Sequence, residues 1–190
     1  MTQPSDHTIQ SNRQALEQAQ QADSALFQAV AGWQSPVLDQ VLPPLSNLAN
    51  RSVLWIGTSA VIAALGGRKG RIAAAKGLVA VGITSAVANL AAKNLVRRTR
   101  PSTGVPEERR IEQPDSSSFP SGHTASAAAF SATIGGEYQL LYIPIHATAA
   151  AVGFSRVYTG VHYPGDVLFG WLLGRFVAGA LDVVWPRRWS

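Results

Sequence analysis

Apolar residues gather into about five stretches along the chain, centred on residues 52–66, 71–92, 121–136, 139–158 and 164–185, with short polar connections between them. Each stretch has the length of a helix. Several fall short of the ~20 apolar residues that crossing a bilayer requires, and two carry an internal charge, Lys76 and Arg175. Hydropathy alone therefore leaves two architectures open, a membrane bundle and a soluble, Ala-rich helical bundle. Small residues decide between them. Gly170 and Gly174 form a GxxxG inside an apolar helix, and Ala60 with Ala64, Gly77 with Val81 and Gly82 with Ala86 extend the same spacing, which lets backbones approach where lipid supplies no hydrophobic drive between helices. Trp55, Trp171, Trp185 and Trp189 fall near stretch ends, as interface anchors do, although core packing is an equal use for each. The expectation is an all-α fold, an integral membrane helical bundle of about five transmembrane helices plus N-terminal amphipathic or interfacial helices.

Residues 1–50 read differently from residues 51–190. From Asn12 to Trp33 the pattern is amphipathic, with Leu16, Ala19, Ala22, Leu26 and Val30 on one face. Pro36 to Ala49 is a short apolar piece broken by Pro43 and Pro44 and carrying Asp39. Neither reads as a span, and both are expected to lie along the membrane surface or pack over the bundle. The first residues are polar and Gln-rich, without the basic and apolar run of a cleavable signal peptide.

Composition adds little. The chain of 190 residues suits one domain, and the absence of cysteine rules out disulfides and thiolate metal sites. Its 16 Lys and Arg against 11 Asp and Glu suggest an anionic partner without naming it.

Candidate chemistry flanks the polar loop Thr99–Phe119. Lys93, Arg97 and Arg100 share a helix face if the helix runs on to Pro101, an arrangement the helix dipole favours in any case. Phe119-Pro120-Ser121-Gly122-His123 opens the Ala-rich third stretch: a good N-cap, and also a set of backbone N–H groups able to cradle an anion beside an imidazole. In Ser155–Asp166, Pro164 suits a first helical position, leaving His162 just outside the last helix and Asp166 in its first turn. That pair is either a structural one or a ring held at one nitrogen so that the other is free to attack. The loop acids Glu107, Glu108, Glu112 and Asp115, close to Arg109 and Arg110, are too scattered for a magnesium site and read as a solvated face or a lid. His146 reads as a packed helix residue, and Tyr158 and Tyr163 as interfacial aromatics beside the last cluster.

Together, Lys93–Pro101, Pro120–His123 and Ser155–Asp166 satisfy KxxxxxxRP, PSGH and SRxxxxxHxxxD without a mismatch, and the chain resembles the type 2 phosphatidic acid phosphatase family. The resemblance implies that Lys93, Arg100 and Arg156 bind phosphate oxygens with help from Ser121 and the Gly122 amide. It also implies that His162 is the nucleophile oriented by Asp166, and that His123 protonates the leaving group. Neither metal nor cofactor is implied, and the partners are a lipid phosphate and the membrane rather than nucleic acid. Residues before Lys93 and after Asp166 carry no family motif and receive no catalytic role. The alternatives are a vanadium haloperoxidase-like enzyme, against which size and apolar helices count, and a non-catalytic lipid-binding or transport protein, which would be expected to lack a His or an Arg of the set. With five spans the motifs share one face, and Arg68, Lys69, Arg71, Arg187 and Arg188 the other; the positive-inside rule then leaves a modest bias toward a site facing outside the cell membrane.

Overall fold

The computed structural model describes residues 6–92, 96–101 and 104–186. Helix α1 is Asp6–Ala31, α2 Pro36–Leu48, α3 Val53–Leu65, α4 Gly67–Ala86, α5 Gly122–Glu137, α6 Tyr142–Tyr158 and α7 Pro164–Val184. All regular structure among the described residues is helical.

Helix α5 is the hub. Apart from His123 and Glu137 its sequence is Ala, Ser, Thr and Gly with one Phe and one Ile, so α4, α6 and α7 all approach it closely, and Thr124–Gly135 is buried throughout. The GxxxG of α7 makes the tightest of these contacts: a Cβ at Gly170 would strike the Ser121 carbonyl and one at Gly174 the Ala125 carbonyl. The other small-residue pairs behave less uniformly. Gly77 lies against the Phe130 ring as expected, but Ala60, Ala64, Gly82 and Ala86 are exposed, with open space beside Gly82. Trp55 is a core residue rather than an interface anchor, buried with its ring centroid 5.0 Å from that of Phe130. Trp171 and Trp185 are partly buried against the core, and Trp189 lies outside the described residues.

Among the described residues three helical segments, Gly67–Leu90, Gln139–Tyr158 and Pro164–Val184, are long and apolar enough to cross a membrane; α2 and α3, joined at a 71° bend, qualify only as a pair. The count thus stops short of five, because α5 has only 16 residues and is enclosed by its neighbours. The charge inside α4 is neutralised: Lys76 is 1% exposed and lies 3.2 Å from Glu137 of α5 and 2.7 Å from Asp182 of α7. A lone ammonium at that depth would be costly, and two carboxylates remove the objection it raised to a membrane helix.

The N-terminal helices cover the bundle at the end where α5 begins. Helix α1 turns a face toward the bundle different from the one its apolar pattern suggests. Phe27 and Ala31 are buried and Asp23 is half-buried, whereas Leu16 and Leu26 are exposed, because the contact with α7 is made by a ring and a carboxylate rather than by a leucine stripe. Helix α2 runs unbroken through Pro43 and Pro44. Tertiary bonds hold it: Asp39 accepts from Tyr158 Oη at 2.6 Å and pairs with Arg109, and Ser46 accepts from Arg156. At the bend into α3, Arg51 and Ser52 both have positive φ, 53° and 59°, a conformation costly for residues with a Cβ.

Candidate active site

Backbone turns bring the three motifs together. The expected helical face through Lys93, Arg97 and Arg100 does not form. After α4 the backbone passes through a π-helical segment, Val87–Ala92, and residues 96–101 are not helical. Lys93 itself lies outside the described residues. Arg97 is exposed and takes no part in the site, whereas Arg100 turns inward. The segment is held against the loop's return by bonds from Arg98 N to Ser117 Oγ at 3.0 Å and from Ser118 N to the Arg98 carbonyl at 2.9 Å.

The Arg100 guanidinium organises the loop. It donates to the carbonyls of Val161 (2.9 Å), Pro114 (3.0 Å), Ser116 (3.1 Å) and Ser117 (3.2 Å), and its Nη1 also lies 3.3 Å from His162 Nε2. A planar fork with five donors suits such a junction, and a lysine would not. Arg109 pins the other limb of the loop, buried with its guanidinium over the Tyr158 ring and bonded to Asp39. Around it Glu107, Glu108, Glu112 and Asp115 are exposed, as a solvated face requires.

His162 sits in the turn between α6 and α7. Gly160, with φ 73°, reverses the chain after Tyr158, and the amides of Val161 and His162 both donate to the Arg156 carbonyl at 3.0 Å. Pro164 then starts α7, and Asp166 caps it by accepting from Tyr163 N through Oδ2 at 2.9 Å. The same oxygen lies 3.6 Å from His162 Nδ1, a close approach still longer than a hydrogen bond. Because a guanidinium can only donate, Arg100 obliges Nε2 to accept, which puts the ring proton on Nδ1, on the Asp166 side. Burial pushes the imidazole down to about 4, with Arg100 and Arg156 adding to the effect and Asp166 opposing it. The ring is therefore neutral at pH 7, with a lone pair at Nε2.

That lone pair faces a cleft of about 220 Å³ lined by Arg100, Gly122, His123 and His162 from the motifs. Ser121 is not part of the lining: it is fully buried and caps α5, its Oγ accepting from Thr124 N at 3.4 Å and sharing a bond of 2.9 Å with Thr124 Oγ1. Its hydroxyl serves the cap, directly before Gly122 and His123 at the cleft. Arg156 is 1% exposed, beneath the lining, with Nη1 bonded to Ser46 Oγ at 2.8 Å and Nε without a partner. His146 is a packed helix residue as expected, stacked on Tyr142. Among the described residues no group of three or more His, Cys, Asp or Glu is disposed to hold a metal ion.

Arg51, Ser52, Ser85, Asn89 and Ser126 also line the cleft, with Ala49 and Pro114, and sequence reasoning missed all of them. Two local irregularities carry three of these: the α2–α3 bend, where Arg51 and Ser52 have positive φ, and the π segment containing Asn89. Such irregularities cluster at functional sites, but neither leaves a mark in residue spacing.

Residues 73–190 match the PAP2 superfamily model. The chain is similar to decaprenylphosphoryl-5-phosphoribose phosphatase of Mycobacterium tuberculosis, 36% identical over 96 residues, which are 50% of this chain and 52% of that one; it thus spans about half the length of that relative. It is 29% identical to phosphatidylglycerophosphatase B of Bacillus subtilis over 82% of this chain and 79% of that one. Its fold matches the crystal structure of a transmembrane PAP2 type phosphatidylglycerolphosphate phosphatase from Bacillus subtilis with a TM-score of 0.70, at 26% identity over 90% of this chain and 89% of that one. Helical architecture, membrane-length segments and a family match over most of the chain agree, and the chain belongs to the PAP2 superfamily.

Proposed function

We propose that the protein is a membrane lipid phosphatase that hydrolyses a phosphate monoester or diphosphate through a phosphohistidine on His162. The observation that carries this reading is the place of His162 in the lining of a cleft with Arg100 and Arg51, its Nε2 3.3 Å from Arg100 and its Nδ1 3.6 Å from Asp166. In the first step Nε2 attacks phosphorus, the P–N bond forms, the P–O bond to the lipid breaks, and the departing oxygen takes a proton from His123. In the second, water attacks the phosphohistidine and gives its proton to His123, the P–N bond breaks and phosphate leaves. Charge on the transferring group is met by Arg100, the Gly122 amide at the start of α5, the unpartnered Nε of Arg156, and Lys93. The names of relatives, among them a decaprenylphosphoryl-5-phosphoribose phosphatase and an undecaprenyl-diphosphatase, support a lipid-linked phosphate as substrate. Residues 51–190 are the phosphatase unit, and helices α1 and α2 pack against α6 and α7 beside it. The cluster Arg68, Lys69 and Arg71, at the opposite end of α4 from the site, favours a cleft opening outside the cell membrane.

The test is phosphate release by purified protein in detergent from phosphatidate, phosphatidylglycerol phosphate and a polyprenyl diphosphate, with His162→Ala as control. Release from at least one, abolished in the variant, is expected; a folded protein releasing phosphate from none would overturn the reading.

A further inference from the structure

Asp166 has two oxygens, and only one faces the nucleophile. Oδ2 takes the Tyr163 amide and approaches His162, while Oδ1 accepts from Arg98 Nη1 at 2.8 Å in a site where the carboxylate is fully buried. Arg98 is a variable position of the KxxxxxxRP spacing, and nothing in that pattern assigns it a role. Its other terminal nitrogen, Nη2, is 2.7 Å from Asp23 Oδ2, and its guanidinium carbon lies 4.1 Å from the centre of the Tyr163 ring. Asp23 belongs to α1 and also accepts from the Gly165 amide at 2.7 Å through Oδ1, while Phe27, one turn on, packs edge-on against Tyr163 at 5.5 Å. A fork held between two carboxylates and stacked on an aromatic face is a rigid arrangement, and every group in it touches the turn that carries His162.

We propose that Arg98, anchored by Asp23 of the N-terminal helix, is a positioning residue for the nucleophile: it holds one oxygen of Asp166 so that the other faces Nδ1 of His162. The relay extends the site into α1, a segment with no family motif, and it rests on the phosphatase reading of His162. It has an electrostatic consequence as well as a geometric one. Asp166 shares its charge between a guanidinium and an imidazole, so it orients the ring without protonating it. The charged and titratable groups disposed about His162 are Asp166 of α7, Arg156 of α6, Arg100 of the loop, and His123 and Arg51 across the cleft, with Asp23 of α1 acting through Arg98. Removing Arg98 returns the whole carboxylate charge to the His162 side.

The experiment compares wild type, Arg98→Gln, Arg98→Lys and Asp23→Asn by lipid-phosphate turnover in detergent and by NMR titration of the His162 ring. For Arg98→Gln, kcat falls about 10- to 100-fold, the usual scale when the group orienting a reactive side chain loses its own support, with KM unchanged and the His162 midpoint moved upward. Arg98→Lys restores only part of the turnover, since an ammonium keeps the charge beside Asp166 but not the fork that also reaches Asp23. Asp23→Asn moves both readouts less in the same direction and adds nothing in the Arg98→Gln background; should Arg98→Gln fail to fold, this variant alone carries the test. A rise in KM at unchanged kcat would make Arg98 a substrate contact and overturn the proposal, as would an unmoved His162 midpoint in both variants. Absence of turnover in the wild type would sink the phosphatase reading, while the titration would still decide whether Arg98 positions Asp166.

Discussion

Nη1 of Arg100 stands 3.3 Å from Nε2 of His162, so a cation lies beside the nitrogen proposed to attack phosphorus. A phosphate entering there takes over that guanidinium as its charge partner, freeing the lone pair as phosphorus arrives. Arg100→Ala is expected to lower kcat/KM by about 10²- to 10³-fold, the range for loss of one donor to the transferring charge. Because the fork also ties the carbonyls of residues 114, 116 and 117 to that of Val161, Arg100→Lys is expected to recover little. Phosphate-release kinetics on both variants check this; near-wild-type activity of the lysine variant would show that point charge alone suffices.

The acid behaviour of His162 follows from its burial. Its pKa in the fold is about 4 against an ordinary 6.5, so between those values the unfolded chain binds a proton that the native one excludes. Its contribution to stability is then fully present above pH 6.5 and is lost as pH falls toward 4. Thermal unfolding in detergent should show stability falling across that window, with a shallower fall for His162→Asn. Identical slopes would mean that the ring is not depressed.

His123 should separate substrates by leaving group. A general acid matters most for a lipid alkoxide and least for a nitrophenolate. With nitrophenyl phosphate, His123→Ala is expected to give a burst of nitrophenol, slow turnover and acid-labile phosphate on His162, since the same residue activates water in the second step. Equal losses for alkyl and nitrophenyl esters, without a burst, would reassign His123 to phosphate binding.

The Lys76 triad gives a stability prediction remote from the chemistry. Lys76→Met leaves Glu137 and Asp182 facing each other without a cation, and removal of one member of a buried ion pair costs about 3–5 kcal/mol. The Lys76→Met, Glu137→Gln, Asp182→Asn combination is expected to regain most of it. Unfolding midpoints in detergent compare the two; a single variant as stable as wild type would show that the triad is hydrated.

The residues that stand at the cleft by virtue of a turn were legible in the sequence, because the turn is written locally. Pro164 placed His162 outside α7 and Asp166 within its first turn, and Ser121 announced the start of α5. What was not legible depends on contacts made across the chain. No local pattern tells that Arg98 meets Asp23, 75 positions away, or that Ser46 meets Arg156, 110 positions away. The bundle-facing side of α1 was not legible for the same reason: Asp23 and Phe27 anchor the helix and leave Leu16 and Leu26 outside, whereas periodicity reports the leucines. Lys76 misled in the opposite sense, since its carboxylate partners come from two other helices.

The enclosure of α5 also bears on how the cleft is held. A 16-residue helix rich in Ser, Thr and Gly has little to gain from lipid on its own, and the surfaces it fits belong to α4, which precedes it, and to α6 and α7, which follow it. The start of α5, with Gly122 and His123, is therefore braced by the glycine face of α7 against Ser121 and Ala125, so the cleft depends on helices that lie on both sides of α5 in the chain.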